Sequence, residues 1–346
     1  MTAPSEAKYD FGSAAFWFFK CVGRNPGGAF SIALTQIIAY ALIIGALLVF
    51  GLPAIQSILE LVAVNDDPDP SEVFAAAGTL LALSPVIVIV SIMVALMAQG
   101  AWMRLLTRNE VAGGIPFRLG ADEGRLFLVN LCLIVFLIAG YVAGALFFAL
   151  IVVATMGINA AADGAVWAAI INGLIWFVAV VGFAVAAIII AVRLAAAPAL
   201  SVRQKGFRLF HSFAATRNIV GWMVLTYFVL ILIALVGSMI LSIVQQIAVM
   251  GGMMGAMAPY WGDLMAGNEP DPEQVREMIT GIITSPAAII ALCVMLLAQV
   301  IFQILIEGLW HGVGAYVAVR HDGGDAPAET DLSAPAESVG NAPSQG

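Results

Sequence analysis

Six separate stretches of this chain run long enough, with almost no charge, to cross a lipid bilayer as single helices. A hydrocarbon core of about 30 Å is spanned by about 20 helical residues rising about 1.5 Å each. The stretches are Phe30 to Phe50, Pro85 to Leu106, Leu126 to Met156, Val166 to Ala191, Ile219 to Val244 and Pro286 to His311. They are continuous runs, not short alternating segments, so they read as helices and not as barrel strands. Hydrophobic residues make up 62% of the chain and charged ones 10%, against roughly 45–50% and about 25% in an ordinary soluble domain. The sequence therefore predicts an all-α membrane protein with six transmembrane helices.

The connecting segments carry an independent signal. Lys8, Lys20 and Arg24 precede the first span. Arg104, Arg108, Arg118 and Arg125 join the second to the third, and Arg193, Arg203, Lys205, Arg208 and Arg217 join the fourth to the fifth. Arg320 follows the sixth, and only Arg276 falls on the opposite side. By the positive-inside rule this bias puts both termini and both basic loops in the cytoplasm of a plasma membrane, here expected to be a bacterial inner membrane. The start of the chain, MTAPSEAKYD, lacks the pattern of a cleaved leader and reads as an uncleaved arm. The expected organisation is a cytoplasmic arm at 1–10, a transmembrane domain at 11–319 and an acidic, disordered tail at 320–346 without aromatic residues.

On the opposite side, two connections exceed a simple turn. Gly51, Leu52 and Pro53 predict a break after the first span, and Ser84-Pro85 predicts one before the second. A single helix from Pro70 to Leu106 would be about 55 Å long, beyond the hydrocarbon thickness, so a kink or an interfacial helix is expected.

An internal repeat accompanies these features. Asp69-Pro70-Ser71-Glu72-Val73 leads to Ser84-Pro85 and Ala98-Gln99, while Asp271-Pro272-Glu273-Gln274-Val275 leads to Ser285-Pro286 and Ala298-Gln299. Asp-Pro is a helix start, with Asp as the cap and Pro in the first turn. Phe19-Lys20, Phe117-Arg118 and Phe207-Arg208 each stand shortly before an apolar run, which completes a pattern of three hairpins in parallel repeat. Segments such as Phe11 to Cys21 and Val202 to Phe213 are expected to lie as interfacial amphipathic helices, with Phe and Trp down. Lys20, Arg24, Arg118, Arg203, Lys205 and Arg208 would then meet anionic headgroups. The competing reading makes these segments ordinary connectors.

Ionised side chains are costly within lipid, so they mark candidate sites. Gln99 and Gln299 share a depth through the repeat, Gln303 and Glu307 continue one face of span six, and Arg104 and Arg193 end spans two and four. A polar cluster of Glu307 with Arg193 or Arg104 is the candidate site. Alternatively the arginines snorkel to headgroups and the amides join helices.

Other chemistry finds little footing. Met250, Met253, Met254 and Met257 are soft donors that copper(I) would accept, but they are equally apolar filler. Asn65-Asp66-Asp67-Pro68-Asp69 lacks the spaced ligands of a calcium loop. His211, His311 and His321 form no set with a nucleophile, and Cys21, Cys132 and Cys293 have neither disulfide nor zinc spacing. No metal, cofactor, nucleic acid or catalytic reaction is expected.

From Arg193 the run RLAAAPALSVRQKGFRLFHSFAATRNIVGW resembles bacterial six-span membrane proteins, including the membrane domain that accompanies some glycerophosphodiester phosphodiesterases. Arg193 and Pro198 close one span in that pattern, and Ser212, Thr216, Asn218 and Trp222 open the next. The resemblance implies an inner-membrane protein connected with lipids or the envelope. It transfers no enzyme, since that activity belongs to a separate soluble barrel. The expected function is lipid organisation or an accessory role beside another membrane protein. The alternative is a transporter or channel for lipid or a small solute, with a polar path through the bundle.

Overall fold

The computed structural model describes residues 9–64, 69–111, 113–162, 165–257 and 286–323, and every regular element among them is helical. The helices are α1 (Phe11–Ala15), α2 (Trp17–Arg24), α3 (Pro26–Val64), α4 (Pro70–Arg108), α5 (Ala121–Ala162), α6 (Val166–Leu194), α7 (Ala197–Arg203), α8 (His211–Ala215), α9 (Val220–Met257) and α10 (Pro286–His321). Six of them, α3, α4, α5, α6, α9 and α10, are long and apolar enough to cross a membrane. They pack as antiparallel neighbours, α3 with α4, α5 with α6 and α9 with α10.

Local chemistry sets the starts. The Asp10 carboxylate accepts from Ser13 N at 2.8 Å, and Asn25 Oδ1 accepts from Gly28 N at 3.0 Å ahead of Pro26. Asp69 accepts from Ser71 N at 2.9 Å, with Pro70 in the first turn, as the Asp-Pro start predicted. Its repeat partner, Asp271-Pro272, lies outside the described residues, as do Asn65 to Pro68, Arg276 and residues 324–346. At its far end α4 closes on Asn109 in the left-handed region, φ 53°.

The expected breaks at Pro53 and Pro85 do not occur. Both prolines lie inside continuous helices of 39 residues, α3 and α4, each about 58 Å long at about 1.5 Å per residue. Proline at 85 leaves the Leu81 carbonyl without its helical donor, and the Ser84 hydroxyl donates to that carbonyl at 3.0 Å. In an apolar setting, a side-chain donor that repairs one carbonyl costs less than a turn that frees several. The Met-rich run from Met250 to Met257 forms the last turns of helix α9.

The core sits at one end of the bundle, where α3, α5 and α9 begin and α4, α6 and α10 finish. Ala101 to Leu106, Leu126, Ala196 to Val202, Met223 and Val313 to Ala318 are buried there. In the most apolar stretch of each span only 6–12% of residues are buried. So large an apolar surface requires lipid around it. Short helices complete the packed end. Helix α7 is enclosed by α4, α5 and α10, and its small residues Ala197 and Ala199 permit that approach. Helix α2 lies on α10 at Gly308 and Gly312, where Phe18 occupies the space of the missing side chains. A Cβ at Gly308 would stand 2.3 Å from the Phe18 ring, a small-residue contact of the kind membrane helices use.

In the segments Phe11 to Cys21 and Val202 to Phe213, expected flat with Phe and Trp toward lipid, Phe16, Phe19, Phe207 and Phe210 are exposed while other apolar residues face protein. Trp17 and Phe18 are buried in protein, the Trp17 indole donating to Leu106 O at 3.0 Å, and Val202 is enclosed. Tyr9 is buried and shares a hydrogen bond with Thr226 at 3.0 Å, while α10 continues to His321.

Candidate functional site

Two polar centres occupy the inner part of the bundle, and they are separate. The first joins α3, α4 and α10. Trp102 Nε1 donates to Gln36 Oε1 at 2.9 Å, Gln36 Nε2 donates to Glu307 Oε2 at 3.2 Å, and Gln303 Nε2 donates to Glu307 Oε1 at 2.8 Å. Each carboxylate oxygen of Glu307 thus receives an amide donor. Gln36 is fully buried, and the indole fixes which way its amide faces.

The second centre joins α4 to α5. The Arg104 guanidinium pairs with the Glu123 carboxylate, and their side chains are 1% and 3% exposed. Arg104 Nη2 also donates to Pro116 O at 3.2 Å, and Gly120 N donates to Glu123 Oε2 at 3.0 Å. Gly100 makes the room, since a Cβ there would stand 2.5 Å from Glu123 Oε1. Beside this pair, Asp122 binds Arg108 at 2.6 Å and Arg125 at 2.8 Å. Five charges therefore fasten the connection between the helices.

These contacts overturn the expected cluster of Glu307 with Arg104 or Arg193. Arg104 and Trp102 are two residues apart on one helix, so they point about 200° apart. Trp102 faces Gln36 and Arg104 faces α5. Arg193 lies over the Phe213 ring, 5.9 Å from its centroid. Gln99 and Gln299 do not share a centre either. Gln99 accepts from Asn130 Nδ2 at 2.7 Å and Gln299 accepts from Gln245 Nε2 at 3.1 Å.

Compared with protein-family models, curated proteins and solved structures, the chain matches none of them.

Among the residues expected at headgroups, Lys20, Arg24, Arg118 and Lys205 are exposed. Arg203 is instead engaged, with Asp322 at 2.6 Å and the Thr107 carbonyl at 2.6 Å. Arg208 is half-buried and approaches His211 Nε2 at 3.3 Å. Burial pushes the Cys21 thiol up to about 11, and burial likewise pushes the Tyr9 hydroxyl up to about 12. At neutral pH both stay protonated.

The sequence reading missed Gln36, Asn130 and Gln245. The rule that selected Gln99, a lone amide in an apolar run, also selects Gln36 and Asn130, whereas Gln245 stands beside Gln246 just past the expected end of the fifth span at Val244. Asp122 and Glu123 were passed over because acidic residues in the first turn of a helix commonly need no partner beyond the helix dipole.

Proposed function

We propose that this protein is a multi-pass protein of a bacterial inner membrane, with both termini cytoplasmic, that organises or recognises anionic lipid at its cytoplasmic face. The observation that carries the reading is the surface of the packed end. Phe16 and Phe19 flank Lys20, Ile115 and Leu119 flank Arg118, and Phe207 and Phe210 follow Lys205, all of them exposed. Apolar anchors interleaved with cations suit the headgroup boundary, where each Lys or Arg contributes about 1 kcal/mol toward anionic lipid. Three parallel-repeat hairpins would present this chemistry three times around one face. In that support, Gly144 of α5 receives Phe183 of α6, and Gly237 of α9 receives Phe302 of α10. The reading is non-enzymatic and includes an accessory role beside another membrane protein, as the resemblance around Arg193 to Trp222 also suggests.

The test is lipid co-purification in polymer discs. Wild type is expected to retain anionic lipid above its share of the membrane, and the triple variant Lys20→Gln, Arg118→Gln, Lys205→Gln to lose that enrichment. Equal lipid profiles would sink the proposal.

Glu307 favours a second reading, transport of a small solute. Its carboxylate is pre-aligned by two amides within a spanning helix, the type of group that marks intramembrane pathways. A solute that co-purifies with wild type and is absent from Glu307→Gln would favour it.

A further inference from the structure

An open cavity of about 500 Å³ lies between α2, α4, α7 and the end of α10. Three guanidinium groups from three different helices line it, those of Arg24, Arg108 and Arg203. We propose that this cavity binds a phosphate-bearing anion with an organic body, presented as a lipid headgroup or as a soluble phosphate ester. The proposal deepens the anionic-lipid reading for one defined site, and rests on that reading only where the anion is a lipid.

The arginines differ in availability. Arg108 is held by Asp122 at 2.6 Å and Glu110 at 3.2 Å. Arg203 is held by Asp322 at 2.6 Å and the Thr107 carbonyl at 2.6 Å. Arg24 has no acidic partner among the described residues, and it is exposed in the lining of the cavity. A planar guanidinium matches phosphate oxygens two at a time, which an ammonium does not.

The end of α4 supplies the cavity floor, and helix C-terminal carbonyls would repel an anion. Here they are covered. Leu106 O accepts from Trp17 Nε1 at 3.0 Å and from Cys21 Sγ at 3.7 Å, and Thr107 O accepts from Arg203. The negative helix end is thus masked by donors that belong to the cavity wall. Trp17, Leu105 and Val319 add an apolar side. A cavity many times the roughly 30 Å³ share of one water is too large for bare phosphate and suits an ester.

Asp322 stands at the rim as the anion the site already holds. Its two oxygens accept from Arg203 Nε at 2.6 Å and Gln204 Nε2 at 2.8 Å. An arriving phosphate competes with this carboxylate for Arg203. Removing the Asp322 charge must therefore strengthen binding, whereas removing Arg24 must weaken it. A merely basic surface predicts no such opposition tied to one cavity.

The test uses the full chain in phosphatidylcholine discs. Phenyl phosphate is titrated in one arm, and in the other the discs are doped with phosphatidic acid and the retained lipid is measured by mass spectrometry. Saturable binding is expected in at least one arm, weakened about tenfold by Arg24→Gln, the loss of one charge-assisted contact, and tightened by Asp322→Asn. Binding only to doped discs assigns the lipid source, and binding only to phenyl phosphate the soluble one. Arg118→Gln and Lys205→Gln lie outside the cavity and should leave the affinity for phenyl phosphate unchanged while lowering general anionic-lipid enrichment. Loss of that enrichment without any cavity binding keeps the broader reading and overturns this one. Absence of saturable binding in both arms overturns it, as does binding indifferent to Arg24→Gln and Asp322→Asn.

Discussion

Arg104 and Glu123 meet where α4 ends and α5 begins, both nearly shut off from their surroundings. The pair also holds Pro116 O and Gly120 N, so it fixes the connection as well as the two helices. Its energetics are asymmetric, since removing one partner strands the other charge. Glu123→Gln should cost about 3 kcal/mol, and Arg104→Met combined with Glu123→Leu should recover part of that loss. Thermal melting of the purified variants in one detergent checks both. A melting point unchanged in Glu123→Gln would show that the pair contributes nothing.

The seat of α2 on α10 should be sensitive to a single methyl group. Gly308→Ala places a Cβ against the Phe18 ring and is expected to cost about 1–3 kcal/mol. Phe18→Leu in the same chain should return part of it, because the clash has one owner. A strictly additive double variant would contradict this packing.

Cys21 donates to Leu106 O and is buried, with its thiol pushed up to about 11. It should resist maleimide at pH 8 until the protein is denatured, which intact-mass labelling would detect. Rapid labelling of Cys21 in the folded protein would rule out the buried α2.

Alkaline stability follows from Tyr9. Its hydroxyl rises from an ordinary value of 10.0 to about 12 in the folded protein because burial disfavours the anion. The unfolded chain therefore releases that proton first. The stabilisation is complete below pH 10 and is lost as pH rises toward 12. Tyr9→Phe should flatten the melting curve across this window, and an equal decline in both proteins would exclude Tyr9 as its source.

Within the first polar centre, Gln36→Ala frees the Trp102 indole and removes one donor from Glu307. A loss of about 1–3 kcal/mol is expected for the unsatisfied groups. Trp102→Phe, which removes only the indole donor, should cost less. Denaturation in mixed micelles would rank them, and the reverse order would mean that the indole and not the amide anchors the centre.

Much of this architecture is legible in the sequence because hydropathy sums over about 20 residues and is insensitive to details. Five of the six long helices contain the stretches read from it, and α9 falls short of its stretch by Ile219 alone. Local capping also transferred, as Asp69 shows. Pairing did not, because the direction of a side chain turns by about 100° per residue and no bulk property records that phase. Arg104 and Glu307, expected at one depth, face different helices, Arg104 toward Glu123 of α5 and Glu307 toward Gln36 of α3. The prolines misled for another reason. In water a broken helix can recover hydrogen bonds from solvent, whereas near lipid the Ser84 hydroxyl is what Leu81 has available.

The concentration of packing at one end makes each hairpin a lever with its fulcrum in the core. Helices α3 and α4 are each about 58 Å long, and a tilt of about 10° at the base carries the tip sideways by about 10 Å. Away from the core α3 and α4 pack on each other and leave their other faces open to acyl chains, so a bilayer of different thickness would be met by tilting the arms about the packed end.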